Sequence, residues 1–132
     1  MAGNLDLRSE LVEKAKQLES RWPEAFIAVY DLSGVCKYAS ENHANEGWTR
    51  EDMLGSHWTK FVIKDDHSHG FLALQDALLN GESIEVQLLG LSKTGEQVLM
   101  RCRGWRHIDS ADDKPYWFIR TFLVDPKESR TE

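Results

Sequence analysis

Helix-like patterns interrupt the strand-like segments of this sequence after the second strand, and this order constrains the fold more than any other feature. Residues 25–30 and 35–39 have the β-branched and aromatic composition of strands. Residues 84–88, 98–102 and 116–124 have the same character after the interruption. A helix, two strands, short helices and three strands predict an α+β fold, in which a five-stranded antiparallel sheet carries the short helices on one face.

An amphipathic helix is predicted at the start of the chain. Its apolar residues recur at spacings of three and four, with charged residues on the other faces; they are Leu7, Leu11, Ala15, Leu18 and Trp22. Asp6 or Ser9 can cap the first N–H groups, and Pro23 ends the helix because the residue before a proline avoids helical φ/ψ. The apolar stripe covers either the sheet of its own chain or the same stripe on a second copy, and the sequence leaves both open.

Turn and cap signals mark the ends of the other elements. The turn at residues 31–34 suits a tight hairpin, because Asp31 can accept hydrogen bonds from its own backbone and Gly34 tolerates a positive φ. Between the second and third strands, capping residues bracket a short helix and a longer one, with a further short turn between them. The capping residues of the short helix are Thr49, Asp52 and Gly55, and Gly81 ends the longer helix, which is predicted over residues 66–80. The short turn between them is predicted over residues 56–62.

The last predicted strand is apolar on both faces, so both faces should be covered. Successive side chains alternate between the faces, and Arg120 is costly to bury. We therefore assign the face of Arg120 to the outside, under the helical stripe of Leu11, Ala15, Leu18 and Trp22. The other face should line a cavity beneath the short helices. The outer set is Tyr116, Phe118, Arg120 and Phe122, and the inner set is Trp117, Ile119, Thr121 and Leu123 with Val98, Met100 and Cys102 of the preceding strand.

Several short motifs, in this order, resemble those of the PAS domain family of sensory modules, and the resemblance covers residues 25–125. Each motif is short, but five of them in the family's order are specific. The first two are the hairpin at 31–34 followed by Tyr38, and residues 47–55, which are similar to the family signature Gly-aromatic-Ser/Thr-x-Glu-Glu/Asp-Leu-Leu/Ile-Gly. The third is residues 63–66, where many members have His-Pro-Asp-Asp. The last two are Gly81 and Glu82 followed by Lys93, Thr94 and Gly95, which are similar to the family's Gly-Glu and Lys-Asp-Gly, and the final Val124 and Asp125.

The resemblance implies a ligand-sensing or protein-interaction module in signal transduction. It divides the chain into an amphipathic helix at 1–24, a PAS-like domain at 25–125 and a tail or linker start at 126–132. We expect the domain to bind a small molecule or a protein partner and to transmit its state through the sheet face and the N-terminal helix. The expected assembly is a homodimer, and the expected effector is a histidine kinase of a two-component system, a cyclase or a transcription regulator.

The cavity and the covered outer face define the candidate sites. The candidate ligand-binding residues are Met53, His57, Trp58, Leu74, Met100, Cys102, Trp117, Ile119 and Thr121. The candidate dimer-interface residues are Leu11, Ala15, Leu18, Trp22, Phe118 and Phe122. No residue is assigned a catalytic or metal-binding role.

Haem or flavin, as in a redox or gas sensor, is the alternative ligand, although the sequence requires no cofactor. The light-sensing branch of the family uses an Asn-Cys-Arg-Phe sequence in a helix to form a flavin adduct. Cys36 and Cys102 instead lie in predicted strands, where a buried, unpaired thiol is expected. The sequence therefore does not favour flavin-adduct photochemistry.

Among the histidines, His57 beside a tryptophan is the best candidate for the pocket. His67 and His69 are two residues apart and point in different directions on a helix, so they do not share one metal ion easily. His43 and His107 are predicted to be surface or loop residues.

The balance of 16 basic and 22 acidic residues, with a net charge of −6, disfavours binding to nucleic acid. No apolar run approaches the ~20 residues that cross a bilayer, so we expect no membrane contact and a cytoplasmic protein. A small cone-fold isomerase is the alternative enzyme class, and Asp65, Asp66 and His67 could provide a general base. Since no nucleophile or phosphate-binding motif accompanies them, the chain is not expected to be an enzyme.

Overall fold

The computed structural model describes residues 9–62, 72–109 and 113–124. Within these ranges, no helix is long and apolar enough to span a membrane. The elements, in chain order, are α1 (Ser9–Arg21), β1 (Phe26–Asp31), β2 (Cys36–Ala39), the 3-10 helix η1 (Glu41–Glu46), α2 (Arg50–Met53), the 3-10 helix η2 (Trp58–Phe61), α3 (Leu72–Leu79), β3 (Glu85–Leu91), β4 (Gln97–Ile108) and β5 (Pro115–Leu123).

The five strands form one sheet in the order β2-β1-β5-β4-β3, and every neighbouring pair is antiparallel. The elements from η1 to α3 lie between β2 and β3 in the chain, as the sequence predicts. The predicted α+β fold is therefore confirmed. Strand β4 runs beyond the segment that alternation marked, because its pairing with β5 continues to Ile108 opposite Pro115.

The β1–β2 hairpin is closed by the side chain of Asp31. Its Oδ1 accepts the backbone N–H groups of Ser33 at 2.9 Å and Val35 at 3.0 Å. Gly34 has a φ of 89°, which side chains with a Cβ rarely adopt. These bonds and the Ser33 hydroxyl hold the pKa of Asp31 below its usual value, although partial burial acts in the opposite direction.

The capping residues between β2 and β3 act as predicted. Thr49 Oγ1 accepts the N–H of Asp52 at 3.1 Å, and the Asp52 carboxylate accepts the N–H of Thr49 at 3.0 Å, so the capping box of α2 is complete. For the longer helix, α3 covers the second half of the predicted segment, and residues 66–71 lie outside the described residues.

The sheet separates two apolar cores. On the inner face, Trp117 and Ile119 of β5 pack with Leu74 and Leu78 of α3. On the outer face, Phe118 packs with the α1 residues. The stripe of α1 therefore covers the sheet of its own chain, which decides between the two possibilities left open by the sequence.

The elements between β2 and β3 also bond to the edges of the sheet. Along β2, Cys36 donates its N–H to Ser56 O at 2.8 Å and accepts the N–H of Gly55 at 2.9 Å, while Arg50 Nε donates to Ala39 O at 2.8 Å. Along β3, an isolated antiparallel bridge pairs Gly90 with the residue after η2, which is Val62. We call the layer from η1 to α3 the roof, since it spans the inner face between these edges.

We predict that Gly34→Ala destabilises the fold more than Gly95→Ala. Both glycines have a left-handed φ, 89° and 93°, so both substitutions carry a backbone cost of roughly 1–2 kcal/mol. A Cβ at Gly34 would also lie 2.6 Å from His57 Nε2 and 2.7 Å from Trp58 Cδ1, whereas nothing lies within 4 Å at Gly95. Urea unfolding should show about 1–3 kcal/mol of additional loss at Gly34. Equal losses would contradict close contact between the turn and the roof.

Candidate functional site

A cavity of about 70 Å³ lies between the inner face of the sheet and the roof. Its floor is formed by β1, β3, β4 and β5, and its walls by η1, α2 and η2. The lining residues that the structure describes are Phe26, Ala28, Tyr30, His43, Trp48, Met53, Trp58, Phe61, Val62, Leu88, Leu91, Val98, Met100, Cys102, Ile119, Thr121 and Leu123. The predicted cavity beneath the helices is therefore present, and most of its wall is apolar.

One end of this cavity is buried and the other approaches solvent. Ala28, Cys102 and Ile119 are each at most 5% exposed and form the deep end. Phe26 is half-buried, and Leu123 is 41% exposed. The mouth of the cavity therefore lies where β1 begins and β5 ends.

A larger depression, of about 470 Å³, lies beside the β1–β2 turn. Its walls include the exposed side chains of Leu32, Ser33 and Lys114, so it is an open surface groove. Small-molecule sites are typically concave and largely apolar, and the buried cavity fits that description better.

The structure brings many of the candidate ligand-binding residues together. Those that line the cavity are Met53, Trp58, Met100, Cys102, Ile119 and Thr121. Leu74 and Trp117 are fully buried on the same face of the sheet but belong to the core under α3. Whether the lining residues bind a ligand remains a prediction.

His57 lies outside the cavity, contrary to its assignment to the pocket. It is the N-cap of η2, where its Nδ1 accepts the N–H of Thr59 at 3.3 Å and lies 3.0 Å from Thr59 Oγ1. These bonds turn the ring along the start of η2, and the side chain is exposed. Trp58, whose ring centroid lies 5.4 Å from that of His57, does line the cavity.

Among the histidines that the structure describes, His43 lines the cavity, although the sequence predicted a surface or loop residue. It lies in η1, and its Nδ1 is 2.8 Å from the carbonyl oxygen of Ser40. The ring packs against Phe26 at a centroid distance of 5.0 Å. Burial lowers the pKa of His43 to about 4, with a smaller lowering by Arg50, while the bond to Ser40 acts in the opposite direction.

The other polar groups of the cavity wall are mostly bonded within the chain. Trp48 Nε1 donates to Leu91 O at 2.8 Å, and Cys102 Sγ lies 3.3 Å from Thr121 Oγ1. Burial raises the pKa of Cys102 to about 11 and that of Cys36 to about 12. Both thiols are free and protonated at neutral pH, so neither is an activated nucleophile.

The cavity does not fit haem or flavin. Either ring system is several times larger than about 70 Å³. Among the described residues, no three His, Cys, Asp or Glu side chains are grouped so that they could hold a metal ion. His67 and His69 lie outside the described residues.

The candidate dimer-interface residues form the contact between α1 and the sheet. Leu11, Ala15 and Phe118 are at most 1% exposed within the single chain. Leu18, Trp22 and Phe122 are partly buried against the same core and keep some exposed surface.

Arg120 is held on this outer face by aromatic rings as well as by charge. Its guanidinium carbon lies 4.5 Å from the ring centroid of Trp22, 5.5 Å from Trp105 and 5.2 Å from Phe122. Glu85 lies 3.9 Å from the same guanidinium. The assignment of Arg120 to the outer face is therefore confirmed, and its side chain joins Trp22, which follows α1, to β4 and β5.

A second contact joins α1 to the roof through Tyr38 of β2. The Tyr38 hydroxyl donates to the Glu19 carboxylate of α1, and burial and this carboxylate raise the pKa of Tyr38. The Arg50 guanidinium of α2 lies 5.1 Å from the ring centroid of Tyr38 and 3.6 Å from the Glu41 carboxylate of η1. A chain of contacts therefore runs from η1 and α2 to α1.

No family model and no curated protein matches this sequence. Solved structures do match its fold. The PAS domain of a protein from Colwellia psychrerythraea superposes with a TM-score of 0.72 at 14% identity, over 86% of this chain and 97% of that one. The PAS-B domain of Drosophila melanogaster Cycle superposes with a TM-score of 0.67 over 75% of this chain and 99% of its own, both as a variant with bound glycerol at 11% identity and as wild type with bound ethylene glycol at 10%. This chain therefore has a PAS-like fold.

We predict that stability falls between about pH 6.5 and pH 4 because of His43. The unfolded chain binds a proton at this ring near pH 6.5, whereas the folded chain binds it only near pH 4. Acidification through this window therefore favours the unfolded state, by roughly 2–3 kcal/mol. Urea unfolding of wild type and His43→Asn should show a shallower pH dependence in the variant, in which an amide can still donate to Ser40. Equal slopes would show that the ring is solvated.

Proposed function

We propose that this domain is a sensory module that holds a small molecule in the roof-covered cavity and reports its presence through α1 and the sheet. The observation that carries the proposal is a buried, largely apolar cavity inside a PAS-like fold. A histidine kinase, a cyclase or a transcription regulator remains the expected effector.

The size of the cavity limits the ligand. At about 70 Å³ it has roughly half the volume of the engineered cavity that binds benzene, so it suits molecules of about four non-hydrogen atoms. Tiny ligands gain at most about 1.5 kcal/mol per atom, so the dissociation constant is no lower than tens of micromolar. Ethylene glycol, which is bound in one Cycle PAS-B structure, has this size, whereas glycerol, which is bound in the other, is larger.

Tyr38 supports the proposed route from the cavity to α1. The η1 residue His43 and the α2 residue Met53 line the cavity, and the same two elements contact Tyr38 through Arg50. A ligand that displaces η1 or α2 would therefore change the position of the Arg50 guanidinium over the Tyr38 ring. The hydroxyl of Tyr38 passes that change to Glu19 of α1.

A homodimer formed through α1 and the outer face is part of the proposal. Because Leu11, Ala15 and Phe118 are covered within one chain, a second copy would contact mainly Leu18, Trp22 and Phe122. Light scattering at tens of micromolar protein should report a dimer. A monomer at these concentrations would contradict it.

The proposal includes no catalytic step. The residues considered for a general base, Asp65, Asp66 and His67, lie outside the described residues, and a fold alone does not decide for or against catalysis. A cytoplasmic location likewise remains an expectation.

We predict that Ala28→Val abolishes small-molecule binding without loss of stability. Ala28 lines the cavity, so two added methyl groups occupy empty volume and gain packing contacts. Ala39 is its partner on β2 and is fully buried outside the cavity lining, so Ala39→Val is a matched control. The control should lose about 1–3 kcal/mol because its site is already filled. Thermal unfolding and native mass spectrometry with short-chain alcohols measure both effects; binding to Ala28→Val as tight as to wild type would contradict the cavity site.

We predict that ligand binding slows amide hydrogen exchange in α1, and that Tyr38→Phe removes most of this effect. The variant keeps the ring under Arg50 but lacks the bond to Glu19. Binding at the cavity itself should persist, because Tyr38 does not line it. Glu13→Gln is the control, since this side chain of α1 is exposed. An undiminished response of α1 in Tyr38→Phe would exclude this route.

A further inference from the structure

We propose that the cavity selects small, uncharged molecules that carry a hydrogen-bond donor such as a hydroxyl group, with Nε2 of His43 as the acceptor. This inference rests on the proposed function, because it names the ligand chemistry of the same cavity. It depends on the tautomer, the partners and the position of one ring.

The contacts of Ser40 fix the tautomer of His43. A carbonyl oxygen only accepts, so the 2.8 Å contact between Nδ1 and Ser40 O requires the proton on Nδ1. The Ser40 hydroxyl gives its own proton to Asn42 Oδ1 at 2.5 Å and accepts the N–H of Ile27 at 3.0 Å. It is therefore a second acceptor near Nδ1, at 3.3 Å. A neutral ring with a protonated Nδ1 carries its lone pair on Nε2.

Nε2 makes no hydrogen bond to any residue that the structure describes, and His43 is one of the residues that line the cavity. The ring stays neutral at physiological pH, since burial lowers its pKa to about 4. By contrast, the indole N–H of Trp48 in the same wall is already donated to a backbone carbonyl. The unbonded Nε2 is therefore the acceptor that we assign to the cavity beside its apolar side chains.

This arrangement sets the chemistry of the occupant. The apolar wall and the absence of a described charged side chain from the lining exclude a free ion. A ligand that only accepts hydrogen bonds leaves Nε2 unsatisfied, whereas an alcohol satisfies it. The position of His43 beside Phe26 places the hydroxyl group towards the mouth and the alkyl part towards the buried end formed by Ala28 and Ile119.

The test compares 2-propanol with acetone, which have the same number of non-hydrogen atoms and the same branched shape. Only the alcohol donates a hydrogen bond. Each compound is titrated into the full chain up to molar concentration. NMR chemical shifts of the backbone amides of Ala28, Cys102 and Ile119 measure its binding in the cavity. The ¹⁵N shift of His43 Nε2 reports hydrogen bonding to the ring itself. His43→Asn serves as the variant, because it keeps a donor for Ser40 and lacks the Nε2 acceptor.

We expect 2-propanol to bind about three- to tenfold more tightly than acetone in the wild type, as one net hydrogen bond implies. It should also move the Nε2 shift towards that of a hydrogen-bonded nitrogen, and the preference should disappear in His43→Asn. Equal binding of both compounds to the cavity would overturn this inference and leave the proposed function standing. Binding of neither would overturn both. If His43→Asn does not fold, the Nε2 shift in the wild type still decides, since an unchanged shift with a bound alcohol overturns the inference.

Discussion

The burial of β5 on both faces is the constraint on which the rest of this structure depends. The strand lies at the centre of the sheet, with Trp117 and Ile119 on one side and Phe118 on the other. Each apolar face must be covered by a separate layer, because a sheet cannot leave such side chains in water without cost. The roof covers one face and α1 covers the other. The described residues consequently form two cores, and the sheet lies between them.

The cavity results from the uneven distance between the roof and the sheet. At Gly104 the roof comes close, because the missing side chain leaves room for Leu74 and Leu78 of α3; a Cβ there would lie 3.1 Å from Leu78 Cδ1. Towards the mouth, large rings hold the roof away from the sheet. Trp48 and Phe61 meet edge to face at a centroid distance of 5.0 Å. Cavity and core therefore lie side by side on one face.

The parts of this architecture that depend on neighbouring residues could be predicted from the sequence. The Asp31 turn, the Thr49 capping box and the alternation along β5 each involve contacts within a few positions, and all three have the expected form. The exchange of roles between His57 and His43 could not be predicted. The direction of each ring depends on the path of a 3-10 helix against a sheet that is distant in sequence. A local contact does hold His43, but its acceptor is the backbone carbonyl three residues earlier, and since every residue has such a carbonyl the sequence carries no specific signal for it.

The bonds between the roof and the two edge strands have a consequence for aggregation. Edge strands normally offer unpaired N–H and C=O groups on which a strand of another molecule can add. Here Cys36 and Ala39 on one edge are already bonded to the chain around α2, and Gly90 on the other is bridged to Val62. Lifting the roof to admit a large guest would expose these groups and template intermolecular sheet growth. A solute that enters the cavity by rearrangement of flexible side chains such as Met100 leaves these edge bonds intact and so avoids aggregation.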